Sequence, residues 1–217
     1  MKTAVGLYSY VVRWDHGFAP NPFYGWCTVA TCKPKIRKKA KVGDWLLGTG
    51  SKKVGYDRRV ICLMRVTGDS AFDDYWRDPR FQVKKPVLNG SFKQMFGDNI
   101  YHREQPDGEW IQSDSRHSQP EGLANLATLK PDTATTDRVL LSDDFIYWGQ
   151  EAPTLPPGLA GFQLGRQGAK HRFADADVER LLDWALASNR RGRVGDPVEW
   201  RDDLVAKWRN TGPRAKA

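Results

Sequence analysis

Val42-Gly43-Asp44-Trp45-Leu46-Leu47-Gly48-Thr49-Gly50-Ser51 sets a tight turn directly against a short apolar run that ends between glycines. Apolar runs of about four to six residues bounded in this way have strand length, so the residues after Asp44 read as a buried strand. Upstream, Leu7-Tyr8-Ser9-Tyr10-Val11-Val12-Arg13-Trp14 is rich in aromatic and β-branched residues and reads as a first strand. It runs into the breaker-rich Asp15-His16-Gly17-Phe18-Ala19-Pro20-Asn21-Pro22. A second short strand covers 26–32 and is ended by Pro34, with a helical turn over 36–41. Downstream, Val60-Ile61-Cys62-Leu63-Met64-Arg65-Val66 reads as a further strand, preceded by the loop Tyr56-Asp57-Arg58-Arg59.

Beyond this block, the aromatic residues of 72–76 open a segment holding a short helix. Residues 90–120 read as an irregular functional excursion, and 138–141 and 145–149 as two late strands returning to the sheet. A Pro-rich linker over 153–168 leads to a helix in which Val178, Leu181, Leu182, Ala185 and Leu186 form one stripe, with Asp175 or Asp177 as N-cap. Asp196-Pro197 starts another helix with Leu204, Val205 and Trp208 on its stripe, and a frayed tail follows. The expected organisation is one mixed α/β (α+β) domain over 1–152, with 153–217 as linker and C-terminal helices packing on it.

Apolar residues make up 40% of the 217-residue chain and charged residues 28%, a globular balance. No apolar run approaches the ~20 residues that cross a bilayer. The N-terminus turns polar before a signal-peptide core forms, so a soluble, cytoplasmic protein without a membrane partner is expected. Cys27, Cys32 and Cys62 lack paired metal-ligand spacing and read as buried free thiols; a cysteine nucleophile would require a basic partner. Neither a metal nor a cofactor is expected.

The net charge of +8 is unevenly spread. Between residues 33 and 65, Lys33, Lys35, Arg37, Lys38, Lys39, Lys41, Lys52, Lys53, Arg58, Arg59 and Arg65 face only Asp44 and Asp57, a local net of +9. Such a field suits a polyanion or a solvated basic face. Tyr8, Tyr10, Trp14, Phe18, Phe23, Tyr24, Trp26 and Trp45 interleave with it. Aromatic faces stack on unpaired or flipped bases while Lys and Arg hold phosphates. The loop rings Phe23 and Tyr24 are the ones least expected in a core. Gly48-Thr49-Gly50-Ser51-Lys52 suits an anion but lacks the spacing of a nucleotide phosphate loop.

A second constellation joins Asp98, Asn99, Tyr101 and His102 to Asp114, Ser115, His117 and Ser118. It supplies acids, bases and hydroxyls for catalysis, for ligand binding or for loop structure. His16 and His171 read as solvent-exposed.

Four segments carry a resemblance: Tyr8-Ser9-Tyr10-Val11-Val12, Asp15-His16-Gly17-Phe18-Ala19-Pro20-Asn21-Pro22-Phe23, Gly43 to Ser51, and Gly97-Asp98-Asn99-Ile100-Tyr101-His102. With them the chain resembles the prokaryotic and phage family called nucleotide modification associated domain, type two, which keeps company with systems that modify DNA bases. More distantly, the Gly-Asp turn before an apolar strand is similar to PUA-like barrels, including EVE and YTH domains, which bind modified bases in an aromatic pocket.

These likenesses imply a twisted β-barrel core with peripheral helices, acting on nucleic acid (DNA rather than RNA) or a nucleotide. A homodimer is compatible with them. The pocket is expected between 9–14 and Thr49-Gly50-Ser51. Ser9, Tyr10, Trp14, Asn21, Phe23, Tyr24, Thr49, Ser51, Asn99 and Tyr101 would contact the base, and Lys35, Arg37, Lys38, Lys39, Lys52, Lys53, Arg58 and Arg59 the phosphates. The leading expectation is a module recognising a modified or flipped base, linked to DNA modification or phage defence. The alternatives are an enzyme using Asp98, His102, Asp114 and His117 to modify or remove a base, and a small-nucleotide sensor.

Overall fold

The computed structural model describes residues 5–164 and 168–200. In chain order its strands and α-helices begin with β1 (Leu7–Val11), β2 (Cys27–Val29), α1 (Pro34–Lys39), β3 (Trp45–Thr49), β4 (Val60–Arg65), β5 (Gly68–Ala71) and α2 (Phe72–Arg77). There follow α3 (Phe92–Met95), β6 (Tyr101–His102), β7 (Ile111–Gln112), α4 (Leu126–Thr133), β8 (Arg138–Ser142) and β9 (Asp144–Tyr147). The last are β10 (Ala169–Lys170), α5 (Asp175–Leu186) and β11 (Gly192–Arg193).

The architecture is mixed α/β, with a six-stranded sheet in the order β10-β1-β3-β4-β9-β11, a three-stranded sheet β2-β8-β5 and the hairpin β6-β7. No closed barrel is found among the described residues. The first two long strands, β1 and β3, pair in parallel, with Leu7 opposite Trp45 and Val11 opposite Thr49. β4 then runs antiparallel to β3, and β9 antiparallel to β4.

The Gly-Asp turn holds this centre together. Gly43 takes φ 99°, a conformation that glycine adopts without a Cβ penalty. The Asp44 carboxylate accepts the backbone N–H groups of Gly6 at 3.0 Å and Lys41 at 2.8 Å, and Trp45 N–H donates to the Gly6 carbonyl at 2.8 Å. The turn thus sets the register of β3 against β1.

Two cores result. One packs β1, β3, β4 and β9 with Val178, Leu181 and Ala185 of α5. Each fully buried Leu or Val side chain there contributes about 1.5–3 kcal/mol. The other gathers Phe18, Phe72, Tyr75, Phe81, Phe96, Ile100 and Tyr101 with Val139 and Leu141 of β8.

Several expectations are corrected. The 90–120 stretch carries α3 and the β6-β7 hairpin. Its helix start is fixed by Gln94, whose side-chain oxygen accepts Ser91 N–H at 3.0 Å. Residue Ala174, not Asp175 or Asp177, occupies the N-cap of α5; both acids lie in its first turn, where they suit the positive end of the helix dipole. Phe23 is buried, its ring stacked on Trp200 at 5.3 Å, because the loop folds under the second core's edge. His16 is half-buried and stacked on Phe96 at 5.1 Å, whereas His171 is exposed. The stripe of Leu204, Val205 and Trp208 lies outside the described residues.

Candidate functional site

A cavity of about 760 Å³ opens where β1 ends. Its walls come from four stretches of chain: residues 11–19 leaving β1, residues 32–36 entering α1, residues 116–132 approaching along α4, and Gly168 with Ala169 at the start of β10. Parallel pairing of β1 with β3 requires a crossover through residues 12–44, and that crossover delivers the first two walls.

At the inner wall three side chains meet. Cys32 Sγ lies 3.6 Å from His117 Nε2, and His117 Nδ1 lies 3.3 Å from Asp132 Oδ2. Tyr101 OH donates to the same Asp132 oxygen at 3.0 Å and stands 3.3 Å from His117 Nδ1. Phe18 packs edge-on against the imidazole at 4.8 Å. The donor atoms of Cys32, His117 and Asp132 lie within 4.8 Å of one another, so the cluster is compact.

Local backbone explains how Cys32 comes to face the cavity. Cys32 and Lys33 both adopt positive φ, 57° and 47°, and reverse the chain between β2 and Pro34 at the first position of α1. A non-glycine residue held there is uncommon and costs about 1–3 kcal/mol, which the surrounding contacts must offset. The main offsetting contact is Arg37. Its Nε donates to the Cys32 carbonyl at 2.9 Å and its Nη1 to the Arg138 carbonyl at 2.8 Å; Nη2 donates to the Asp132 carbonyl at 2.5 Å and lies 3.8 Å from Asp132 Oδ1. One buried guanidinium therefore ties together the two ends of the cluster. Arg37 is fully buried, so the expectation that it binds phosphate is corrected: the planar fork is used inward, on carbonyls.

Burial opposes a charge on His117, but the hydrogen bond to Asp132 and then the contact with Cys32 outweigh it and raise its pKa from 6.5 to about 9. A proton bound more tightly in the folded than in the unfolded state stabilises the fold. That contribution is complete below pH 6.5 and is lost as pH rises through 9. Melting temperature, followed by differential scanning fluorimetry, should therefore fall between pH 6.5 and 9. His117→Gln should flatten that part of the profile; an unchanged slope in the variant would assign it to other groups.

The rest of the cavity lining is basic and aromatic. Lys33, Lys35 and Arg116 line it and make no ion pair with a described residue. Lys33 Nζ donates to the Val11 carbonyl at 3.1 Å and sits 5.1 Å over the Tyr10 ring. Trp14 also lines the cavity with 46% of its surface exposed, and Lys53 stands 5.3 Å over its ring.

Of the residues singled out in the sequence, the cavity is lined by Trp14, His16, Phe18, Cys32, Lys33, Lys35, His117 and Ser118, and Tyr101 touches it through Asp132. The others lie elsewhere. Ser9 donates to the Phe162 carbonyl at 2.5 Å, Thr49 to the Tyr10 carbonyl at 3.2 Å and Ser51 to the Arg13 carbonyl at 3.0 Å. Tyr10 is buried in the first core. Tyr24 is half-buried, 4.7 Å beneath Lys93 Nζ.

Asn21, Asp98 and Asn99 are buried braces of the second core. Asn21 Nδ2 donates to the Gly17 and Phe96 carbonyls, and Asn99 Nδ2 to those of Tyr75 and Phe81. Asp98 accepts Thr28 Oγ1 at 2.6 Å and Tyr75 OH at 2.9 Å. His102 is stacked on Trp76 at 3.8 Å, and Asp114 accepts Ser118 Oγ at 2.7 Å. Lys38, Lys39, Lys52, Lys53, Arg58 and Arg59 are exposed; Arg59 also donates to the Ala152 carbonyl at 3.0 Å.

Cys32, Lys33, Arg116 and Asp132 were not among the site residues read from sequence. The one local signal for Cys32 is its place between a strand and a helix-starting proline, Thr31-Cys32-Lys33-Pro34. Asp132 carries no such signal, since it sits inside α4 beside Pro131.

Among the described residues no helix is long and apolar enough to cross a membrane. No curated protein and no solved structure matches the chain. The profile of the family described as nucleotide modification associated domain 2 matches residues 4–204, nearly the whole chain. The chain belongs to the nucleotide modification associated domain 2 family.

Proposed function

We propose that the protein receives a nucleotide, free or extruded from a DNA strand, in the cavity at the end of β1, as part of a system that modifies bases. The observation that carries this reading is the make-up of the cavity. Lys33, Lys35, Arg116 and Trp14 all line it, and the one acidic lining residue among those described, Asp132, is already engaged by His117, Tyr101 and Arg37. Cations in the lining suit a phosphate, and an exposed indole supplies a stacking face for a base. The volume lies within the range of small-molecule sites, roughly 300–1,000 Å³. Family membership ties the chain to nucleotide modification, and the exposed lysines of α1 extend the basic surface outward along a strand. DNA is preferred to RNA here because of the family's link to base modification; the leading role is recognition of the base itself.

The test is fluorescence anisotropy with a labelled single-stranded DNA oligonucleotide at low and moderate salt. Affinity should fall by about tenfold or more as salt rises fourfold, as expected when about three phosphates are neutralised. Trp14→Ala should weaken binding roughly tenfold, the loss of one stacked base. Arg116→Ala should weaken it and also reduce the salt slope. Binding that is indifferent to salt and to both substitutions would overturn the reading.

A further inference from the structure

We propose that Cys32 is a nucleophile and that the cavity carries out acyl transfer, with His117 as the proton-transfer base and Asp132 as its orienting partner. The chemistry requires a thiol, a base on one side of it and an orienting acceptor beyond the base. All three are present at hydrogen-bonding range: Sγ to Nε2 at 3.6 Å and Nδ1 to Asp132 Oδ2 at 3.3 Å. The imidazole uses both ring nitrogens, one toward the thiol and one toward the carboxylate. A single cation would occupy only one of these nitrogens, whereas a proton relay uses both.

The other two cysteines show the contrast. Cys27 and Cys62 are fully buried, 3.8 Å apart, and burial pushes the Cys62 thiol upward. Cys32 alone among the three is accessible, lines the cavity, and has an imidazole beside it.

The class of reaction follows from the number of groups that move protons. In acyl transfer one imidazole suffices. The reacting form is the thiolate–imidazolium pair, in which the proton already sits on Nε2: the Sγ–C bond forms at the substrate carbonyl carbon and the carbonyl π electrons move onto oxygen. When the C=O bond re-forms, the bond to the departing amine or alcohol breaks, and that leaving group takes the proton from Nε2. A thioester remains on Cys32. Water then attacks it, giving a proton to Nε2; the C–S bond breaks, the acid departs and the thiolate–imidazolium pair is restored. The net change is hydrolysis of an amide or ester by one water. That the acyl group is borne by a nucleotide rests on the function proposed above; the thiol chemistry does not.

Three measurements on the full-length protein test this. Iodoacetamide at pH 6 should alkylate one cysteine, mapped to Cys32, at least about tenfold faster than glutathione, because an imidazolium beside the sulfur favours the thiolate that reacts. p-Nitrophenyl acetate should release a one-equivalent burst of p-nitrophenolate and leave one acetyl group on Cys32, seen by intact mass and peptide mapping. Cys32→Ser should lose the thiol burst, and His117→Gln should slow it by about 10²–10⁴-fold while the melting transition stays cooperative. Cys32 reacting no faster than glutathione, or acetylation spread over surface lysines, overturns the proposal. So does a stoichiometric zinc ion in the purified protein whose chelation is needed before Cys32 reacts. In the third measurement a single-stranded oligonucleotide is added to the alkylation. Protection of Cys32 supports a shared cavity; rapid alkylation without protection overturns the nucleotide reading and leaves the thiol site standing.

Discussion

Replacing Arg37 with methionine should destabilise the protein by about 3–5 kcal/mol, the cost of breaking a buried charge pair from one side. The side chain is fully buried and donates to the carbonyls of Cys32, Arg138, Thr136 and Asp132, while its charge stands near the Asp132 carboxylate. Methionine fills much of the volume and restores none of the donors. Four carbonyl oxygens and a carboxylate would then be buried with a partner missing. For a chain of this length such a loss corresponds to a fall in melting temperature of roughly 6–20 °C. Urea denaturation followed by tryptophan fluorescence checks it; a loss under about 1 kcal/mol would mean that water replaces the guanidinium.

Lys84→Met should have a comparable effect in the second core. Lys84 lies in the 3-10 turn Pro79–Lys84 and is fully buried. Its Nζ is 2.6 Å from Asn21 Oδ1, 3.0 Å from the Asn21 and Trp26 carbonyls and 3.1 Å from Thr28 Oγ1. Thr28 in turn donates to Asp98. Burial lowers the Lys84 pKa to about 8, with Asp98 acting in the opposite direction. Removing the ammonium alone should cost about 3–5 kcal/mol, because the Asp98 carboxyl loses the cationic counterpart that opposes its burial. The double variant Lys84→Met with Asp98→Asn should then be less damaging than the sum of the singles by about 1 kcal/mol or more. Strict additivity in denaturation midpoints would show that the two groups do not sense each other.

The strands that form the centre of the fold were legible because they are buried on both faces and read as continuous apolar runs: Trp45 to Leu47, Val60 to Met64 and Phe145 to Tyr147. The helix over Asp175–Leu186 was legible from its 3.6-residue stripe. Edge strands were not, since β10 and β11 are two residues each and carry little apolar pattern. The family was legible in the Asp-His-Gly-Phe-Ala-Pro-Asn-Pro string. The structure gives that string a physical use: Asp15 accepts Tyr147 OH at 2.5 Å and Val198 N–H at 3.0 Å, and Asn21 braces two carbonyls.

The cluster at the cavity was harder to read. Polar density drew attention to residues 97–118, and of the acids and histidines there His117 alone lines the cavity. Its partners stand 85 residues upstream and 15 residues downstream, and no local pattern around Cys32 or Asp132 ties either of them to it. Charge counting likewise treated Arg37 as one of a run of equal cations. A residue facing inward from a six-residue helix cannot be told from its neighbours by composition; Ile36 and Arg37 are the buried pair of α1, and an apolar neighbour is weak guidance.

The parallel pairing of β1 with β3 also bears on how the chain assembles. Parallel strands cannot be joined by a tight turn, so the central pair closes only after everything between them has been threaded across one face. Here that intervening chain holds Cys32 and the wall formed by residues 12–19, while His117 and Asp132 arrive from a stretch synthesised far later. Pairings of this long sequence separation slow folding, because loop-closure entropy is spent before contacts compensate it. A nascent chain emerging from the ribosome would therefore present the Cys32 thiol, still without its partner groups, and a basic, aromatic surface before the imidazole and carboxylate that complete the cluster have been made.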